Sequence, residues 1–359
     1  MGEQAAGAGP GRRCTLAMAA AASPMERLLA LEPLAAAEGR PGADRLAGCA
    51  VSHFRGAQQA ELIYSPRMYG GQLLGQALIA AALTVDGAKR PHSCTGFFLK
   101  GGKVQGLPPI EYAVVHTRDG GTFSTRRVLA SQGEGAARVV LFELIASFQV
   151  EEKGLEHAEP GPRVRKLEEC ESQQQFFARY AQDPRIPEQV RAYLSFRAEK
   201  PPVWDVRYTE TRDRVIVQPR EARQSIWIKC ADRLPANMAL HYAALAFISD
   251  FTMLDTSLLP HGQRPYLPAP SPDLQETTLA HTVYFHKASF RADGAVLHDM
   301  TSHAASGARG LVTGRMYDEA GALLASTVQE GLIRVTEGGL FKGFNIDKKA
   351  RAELLEAKL

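Results

Sequence analysis

The chain has 359 residues, of which 45% are hydrophobic and 23% are charged, a length and composition that suit two folded domains and argue against general disorder. Its 42 basic and 39 acidic residues leave a net charge of +3, far from the basic surface of a nucleic-acid-binding protein, so we expect no nucleic-acid partner. No apolar run reaches the roughly 18 residues of a membrane span, and the five scattered cysteines lack metal-ligand spacing, so neither a membrane span nor a metal or other cofactor is predicted.

The chain opens with an alanine- and glycine-rich stretch that carries Arg12 and Arg13 beside a single acidic residue, Glu3. This composition is typical both of a transit peptide and of a disordered leader that precedes a later start at Met18 or Met25. We predict a disordered leader over residues 1–24.

The first folded domain is predicted over residues 25–150. A helix begins near Tyr69-Gly70-Gly71-Gln72, and apolar residues then recur at three- and four-residue steps as far as Ala82. The spacing of the glycines does not fit a dinucleotide-binding turn. Strand-like runs follow and predict an antiparallel meander around one helix: residues 93–99, 110–117, 122–131 and 138–149.

Residues 151–223 are richer in proline and charge, with short helical stretches such as residues 172–180. We interpret this segment as a connector and assign no chemistry to it. A second domain is predicted over residues 224–337, with a helix over residues 240–250. Its strand candidates are residues 226–229, 278–285, 296–304, 310–317 and 323–334.

Similar short motifs occur in the same order in both halves. His92-Ser93 and His281-Thr282 each precede an aromatic residue and a lysine, and Ala146-Ser147 and Ala325-Ser326 each stand in the last strand of their half. The separations are nearly constant, which predicts an internal duplication.

Asp250 is a single carboxylate inside apolar sequence, between Ser249 and Phe251. A buried carboxylate is costly unless it is hydrogen-bonded or used in chemistry. Taken alone, an aspartate at this position is more typical of a helix end or a turn.

Several motifs together resemble the type II acyl-CoA thioesterase family: GGQLLGQAL, FISDF, TTLAHTVYFH, FRAD, ARGLVTGRMYDEAGALLASTVQEGLIR and the terminal AKL. The resemblance covers about residues 28–335. It implies an α+β double hotdog fold, in which each half is a long helix wrapped by an antiparallel sheet, and it implies hydrolysis of fatty acyl-CoA. Carried over residue by residue, the family's catalytic Asp, Thr or Ser, and Gln fall on Asp250, Thr278 and Gln329.

These residue types suit direct attack of water on a thioester. Asp250 would accept the proton of a water molecule that Thr278 and Gln329 hold, and the N-terminus of a helix would stabilise the oxyanion. Singly, Thr278 and Gln329 are typical strand residues, and Asp255 is the alternative carboxylate. The candidate substrate-binding residues are Gly70, Gly71, Gln72 and Arg309; Arg309 and Arg315 are candidates for the CoA phosphates, although solvated strand positions are the more usual role of such arginines.

Two other functions stay open. A hotdog enoyl-CoA hydratase would need an Asp–His pair close in sequence, and Asp250 has no histidine within five positions. A non-catalytic acyl-CoA-binding protein would not need the three polar residues, so their joint presence favours an enzyme. A Gly-x-Ser-x-Gly elbow is missing from the sequence, which disfavours a serine hydrolase. Departures from the family pattern at Tyr69 and over residues 280–286 leave the acyl preference open.

The sequence closes with Ala357-Lys358-Leu359, a variant of the Ser-Lys-Leu tripeptide that peroxisomal import receptors recognise. A frayed helix end is the alternative interpretation. We expect a tail over residues 338–359 that carries this signal, an import receptor as partner, and a peroxisomal location. Acyl-CoA is the other expected partner, and a homo-oligomer stays open.

Overall fold

The computed structural model describes residues 23–34, 45–46, 48–56, 68–104, 106–186, 188–199, 203–210, 219–261 and 274–335. Residues 1–22 of the predicted leader and the whole predicted tail, with Ala357, Lys358 and Leu359, lie outside the described residues. Within these ranges, every helix is too short or too polar to cross a membrane.

The first half begins with helix α1, Pro24–Leu29, which a capping box starts. The Ser23 hydroxyl accepts from the Glu26 N–H, and the Glu26 carboxylate accepts from the Ser23 N–H. The next elements are β1 (Leu31–Leu34), β2 (Arg45–Leu46), β3 (Cys49–Gly56), α2 (Gly70–Ala82), β4 (Lys89–Phe98), β5 (Glu111–Asp119), β6 (Phe123–Gln132), a 3₁₀ turn at Gly135–Ala137, and β7 (Val139–Val150).

The segment predicted as a connector contains regular structure from Leu167 onward. It contains a 3₁₀ turn at Leu167–Glu169 and the elements β8 (Glu171–Ser172), α3 (Gln173–Ala181), α4 (Glu188–Glu199) and β9 (Trp204–Tyr208). Because β9 pairs with the first strand of the second half, this segment extends the sheet rather than only linking two domains. The domain boundaries given above stay predictions.

The second half repeats the helix-and-meander plan. Its elements are β10 (Arg223–Cys230), α5 (Met238–Ser249), a 3₁₀ segment at Leu254–His261, β11 (Leu274–Phe285), β12 (Ala295–Ser306), β13 (Arg309–Tyr317) and β14 (Leu323–Val335). The two halves have the same strand order, β3-β5-β6-β7-β4 and β10-β12-β13-β14-β11.

The two sheets join edge to edge, because β4 pairs with β11 to give one continuous antiparallel sheet. Thr95 and Thr282 lie opposite each other at the centre of this pairing, 187 positions apart, and their hydroxyl oxygens are 3.1 Å apart. Each of the two strands also has a bulge at the equivalent place, between Pro91 and Ser93 in β4 and between Thr278 and Ala280 in β11.

The register agrees with the predicted duplication and corrects its residue-level match. His281 pairs with Gln329, and Cys94, its equivalent in β4, pairs with Ala146. Ala146 is therefore equivalent to Gln329, and the earlier match of Ala146 to Ala325 was wrong. The short motif Ala-Ser misled the alignment because a hydrogen-bond register is set by long-range pairing.

Helices α2 and α5 pack antiparallel in the core, where almost all of their residues are buried. Gly71 allows their close approach, because a side chain there would overlap the carbonyl oxygen of Phe247. The Tyr69 hydroxyl donates to that carbonyl oxygen at 3.0 Å. The packing brings the N-terminus of α2 against the C-terminus of α5.

Candidate active site

Asp250 lies where the two halves meet. It is the C-cap residue of α5, and the backbone N–H of Gly71, in the first turn of α2, donates to its carboxylate. A Cβ atom on Gly70 would come within 2.8 Å of Asp250 Oδ2, so α2 begins directly beside the carboxylate. A helix N-terminus stabilises negative charge, and here the first half provides it for an acid of the second half.

The three predicted catalytic residues contact one another. Gln329 Nε2 donates to Asp250 Oδ1 at 2.6 Å and to Thr278 Oγ1 at 3.3 Å, and Thr278 Oγ1 donates to Asp250 Oδ1 at 3.2 Å. They come from the end of α5 and from the neighbouring strands β11 and β14. Thr278 is the last residue before the bulge of β11, the kind of irregularity that turns a side chain toward a site.

Burial raises the pKa of Asp250 to about 6, against the hydrogen bonds from Thr278, from Gln329 and from the Gly71 N–H, which lower it. A carboxyl group with this pKa is mostly ionised at neutral pH. It nevertheless holds a proton much better than an ordinary aspartate, which is the property required of a general base.

Gln329 is only 1% exposed, and its side chain donates to Asp250 and Thr278 through Nε2. Its amide orientation follows from chemistry, since a carboxylate only accepts hydrogen bonds. The other amide atom, Oε1, is buried and has no hydrogen-bond partner in the part of the chain that the structure describes. Such an oxygen can accept a hydrogen bond from a water molecule or a substrate.

The structure brings only part of the predicted substrate-binding set to this place. Gly70 and Gly71 adjoin Asp250, but the Gln72 side chain donates to the carbonyl oxygen of Leu28 in α1 at 3.2 Å. Arg309 pairs at 2.9 Å with Glu330, which faces the side of β14 opposite to Gln329 because successive strand residues alternate.

Arg315 likewise lies away from the three residues. It pairs with Glu159 and, at 3.1 Å, with Asp299. Neither arginine proposed for the CoA phosphates is therefore brought to the Asp250 site.

The first half lacks the three polar residues at the equivalent positions. Through the symmetric pairing of β4 and β11, Pro91 is equivalent to Thr278, and Ala146 is equivalent to Gln329. Ala146 pairs with Arg126 of β6, a fully buried arginine.

The Arg126 guanidinium group fills the equivalent space. It donates to the hydroxyl and the carbonyl oxygen of Thr84, both at 2.8 Å, and it pairs with Asp119 at 2.8 Å. Thr84 follows the C-cap of α2, just as Phe251 follows the C-cap of α5. In the first half, the equivalent space is therefore filled by structural hydrogen bonds of Arg126.

Sequence reasoning missed three neighbours of the three residues. Tyr69, the N-cap of α2, is buried, and burial together with the charges of Asp250 and Asp255 raises its pKa well above the usual value. The Phe98 ring lies 3.0 Å from where a Gly70 Cβ would be. Glu276 lies two residues before Thr278, and strand alternation was the signal that could have placed both on one face.

The comparisons with known proteins agree with this geometry. A family model described as the acyl-CoA thioesterase N-terminal domain matches residues 63–149, and one described as the acyl-CoA thioesterase C-terminal domain matches residues 168–333. The chain belongs to the acyl-CoA thioesterase family. The predicted family and enzyme class are thereby confirmed, whereas the roles of Asp250, Thr278 and Gln329 stay predictions.

Two acyl-CoA thioesterases show the extent of the similarity. Acyl-coenzyme A thioesterase 8 of Rattus norvegicus is 33% identical over 272 residues, which are 75% of this chain and 81% of the relative. Acyl-CoA thioesterase 2 of Haemophilus influenzae is 33% identical over 271 residues, which are 76% of this chain and 89% of the relative.

Solved structures confirm the predicted double hotdog fold. The crystal structure of acyl-CoA thioesterase II TesB2 from Mycobacterium marinum has a TM-score of 0.61 and 31% identity, and the match covers 88% of this chain and 98% of that one. A protein of unknown function with a hot dog fold from Alicyclobacillus acidocaldarius has a TM-score of 0.59 and 17% identity over 87% and 98% of the two chains.

Proposed function

We propose that this thioesterase hydrolyses acyl-CoA by direct attack of a water molecule at Asp250, Thr278 and Gln329. The observation that carries the proposal is that Gln329 and Thr278 both donate to Asp250 Oδ1. This arrangement fixes the carboxylate and leaves Oδ2 beside Gly70, at the beginning of α2.

The proposed reaction needs no covalent bond between enzyme and substrate. The water oxygen bonds to the thioester carbonyl carbon while its proton passes to Asp250, and the carbonyl oxygen becomes an oxyanion. Collapse of this intermediate breaks the carbon–sulfur bond, and the CoA thiolate takes the proton back from Asp250. Backbone N–H groups in the first turn of α2 are suited to stabilise the oxyanion, and Gly70 leaves room for it.

The surroundings disfavour the alternative hydratase chemistry. A hydratase of this fold would need a histidine that exchanges protons beside the aspartate. His281 is the buried histidine on β11, and its Nε2 atom is 2.8 Å from the Ser249 hydroxyl. Burial, with a smaller effect of His298, lowers the pKa of His281 to about 3, so it stays neutral in the range where such an enzyme works.

The test is free-thiol release from short to long acyl-CoA esters by the wild type, Gln329→Ala and a matched control, Gln132→Ala. Gln132 is also a buried glutamine on a strand, and its side chain donates to the carbonyl oxygens of Lys103 and Pro108 in the first half. We expect Gln329→Ala to lower kcat at least about 100-fold, and Gln132→Ala to leave it near the wild-type value. Equal rates in both variants would remove Gln329 from the mechanism.

We also propose that Ala357-Lys358-Leu359 directs the protein to peroxisomes wherever it forms the free C-terminus. The support is the likeness of this tripeptide to Ser-Lys-Leu. An N-terminal fluorescent fusion is expected to give a punctate peroxisomal signal that becomes diffuse when Leu359 is removed. A signal unchanged by that deletion would contradict the proposal.

A further inference from the structure

A second acidic side chain lies on the same face of β11 as Thr278. Glu276 precedes Thr278 by two residues, and the pairing of β11 with β14 is regular from Leu274 to Thr278. Alternation therefore turns Glu276 and Thr278 to one side of the sheet, about 7 Å apart along the strand. Glu276 is thus a close neighbour of the proposed water-binding group.

The 3₁₀ segment Leu254–His261 packs on β12 and β13 and reaches β14, the strand beside β11. Leu254 packs on Gly331, the strand partner of Thr278, so closely that a side chain at Gly331 would overlap it. Asp255 follows Leu254 and lies close enough to act electrostatically on both Glu276 and Tyr69. Asp255 therefore lies near both Glu276 and Tyr69, the N-cap residue of α2.

Glu276 is a half-buried acid with one fully buried carboxyl oxygen. Its Oε1 atom is buried and has no hydrogen-bond partner among the residues that the structure describes. Burial, and next to it the charge of Asp255, raise the pKa of Glu276 well above its usual range. Two carboxyl groups in one poorly solvated place resist ionising together, which favours the protonated form of Glu276.

A protonated carboxyl group donates one strong hydrogen bond through its O–H, and it has no negative charge to repel an anionic substrate. About 7 Å from the reacting carbon, an acyl-CoA offers neutral oxygen atoms on either side. One source is the first amide carbonyl of the pantetheine arm, and the other is an oxygen substituent on the acyl chain.

We propose that Glu276 is a substrate-binding residue that donates a hydrogen bond to a neutral oxygen of the bound acyl-CoA and thereby positions the thioester beside Asp250. This inference rests on the proposed function, because it takes the reacting carbon to lie at the Asp250 group. Its effect falls on substrate binding, whereas that of Gln329 falls on the chemical step.

The test compares Glu276→Gln, which keeps a neutral donor, with Glu276→Leu, which has none. Each is assayed with a straight-chain acyl-CoA and with an ester of the same length that carries a hydroxyl group. We expect Glu276→Leu to raise KM about tenfold with little change in kcat, and Glu276→Gln to keep the wild-type KM. A rise for both esters assigns the pantetheine amide, and a rise only for the hydroxyl-bearing ester assigns the acyl chain.

Either of two results would overturn the inference: an unchanged KM of Glu276→Leu with both esters, or an equal rise in Glu276→Gln. Glu276→Met serves the same comparison if the leucine variant does not fold. Failure of the proposed function is a separate result, because it would appear as a wild type without activity or as an unaffected Gln329→Ala variant.

Discussion

Replacing Asp250 by asparagine is expected to abolish hydrolysis and to stabilise the fold. The folded-state pKa of about 6 exceeds the ordinary value of 3.8, so the folded chain binds this proton more tightly than the unfolded chain. The ionised form is therefore destabilising: the cost is absent below the ordinary pKa, grows between the two values and is complete above about 6.

The size of the effect follows from the shift of about two pKa units, which corresponds to about 3 kcal/mol at full ionisation. An asparagine avoids this cost but accepts fewer hydrogen bonds, and the loss of one bond such as that from the Gly71 N–H removes about 1 kcal/mol. The net expectation is a gain of about 2 kcal/mol in the free energy of unfolding at about pH 8. Near pH 5, where the wild-type carboxyl is largely protonated in the folded state, the gain should be about 1 kcal/mol smaller.

Urea unfolding of the wild type and Asp250→Asn at both pH values measures this difference, and thiol release measures the loss of activity. Asp299→Asn is the matched control, because Asp299 is also buried but pairs with Arg223 and Arg315 at 3.0 and 3.1 Å. We expect this control to lose about 2 kcal/mol of stability and to stay active. A destabilised Asp250→Asn, or a stabilisation that does not depend on pH, would refute the reasoning.

Three further predictions concern the same site and its counterpart. Gly70→Ala should lower kcat/KM at least about tenfold, because the alanine Cβ would lie 2.8 Å from Asp250 Oδ2. A wild-type kcat/KM in this variant would contradict the role of the α2 N-terminus. The kcat/KM of the wild type should fall about tenfold per pH unit below about 6, as Asp250 takes up its proton, and a decline that begins only below pH 5 would exclude it as the base. Arg126→Met should lower the free energy of unfolding in urea by about 2 kcal/mol, because the hydrogen bond to Thr84 and the ion pair with Asp119 are lost. Thiol release should change little, and an activity loss as large as that of Asp250→Asn would contradict a purely structural role.

Local sequence signals predicted the two central helices and most of the long strands. The helix from Gly70 to Ala82 was visible as an apolar stripe, and the strands Glu111–Asp119 and Phe123–Gln132 as β-rich runs. Strands Cys49–Gly56 and Trp204–Tyr208 were missed, because each is recognisable mainly through the strand with which it pairs. The continuous sheet across β4 and β11 also depends on pairing between distant segments, which no local pattern records.

The candidate site was predictable in its members but not in its surroundings. Resemblance placed Asp250, Thr278 and Gln329, and the structure shows that they contact one another. Gln72 belongs to the same motif as Gly70, but its position on α2 turns it toward α1. Glu276 was missed because it precedes the predicted strand, which began at residue 278, and because a charged residue there is usually solvated.

Among the described residues, the duplicated chain forms one such group of three polar residues because the two halves contribute different ends of their helices. The first half supplies the N-terminus of α2, with its small residues Gly70 and Gly71, and the second half supplies Asp250 at the end of α5. The reverse combination cannot form the same group, since Pro91 has no hydroxyl to replace that of Thr278 and Arg126 occupies the equivalent space. An isolated second half would keep all three polar residues yet lose the Gly71 N–H that stabilises the carboxylate. The edge-to-edge joining of β4 and β11 is therefore a requirement of the site as well as of the fold.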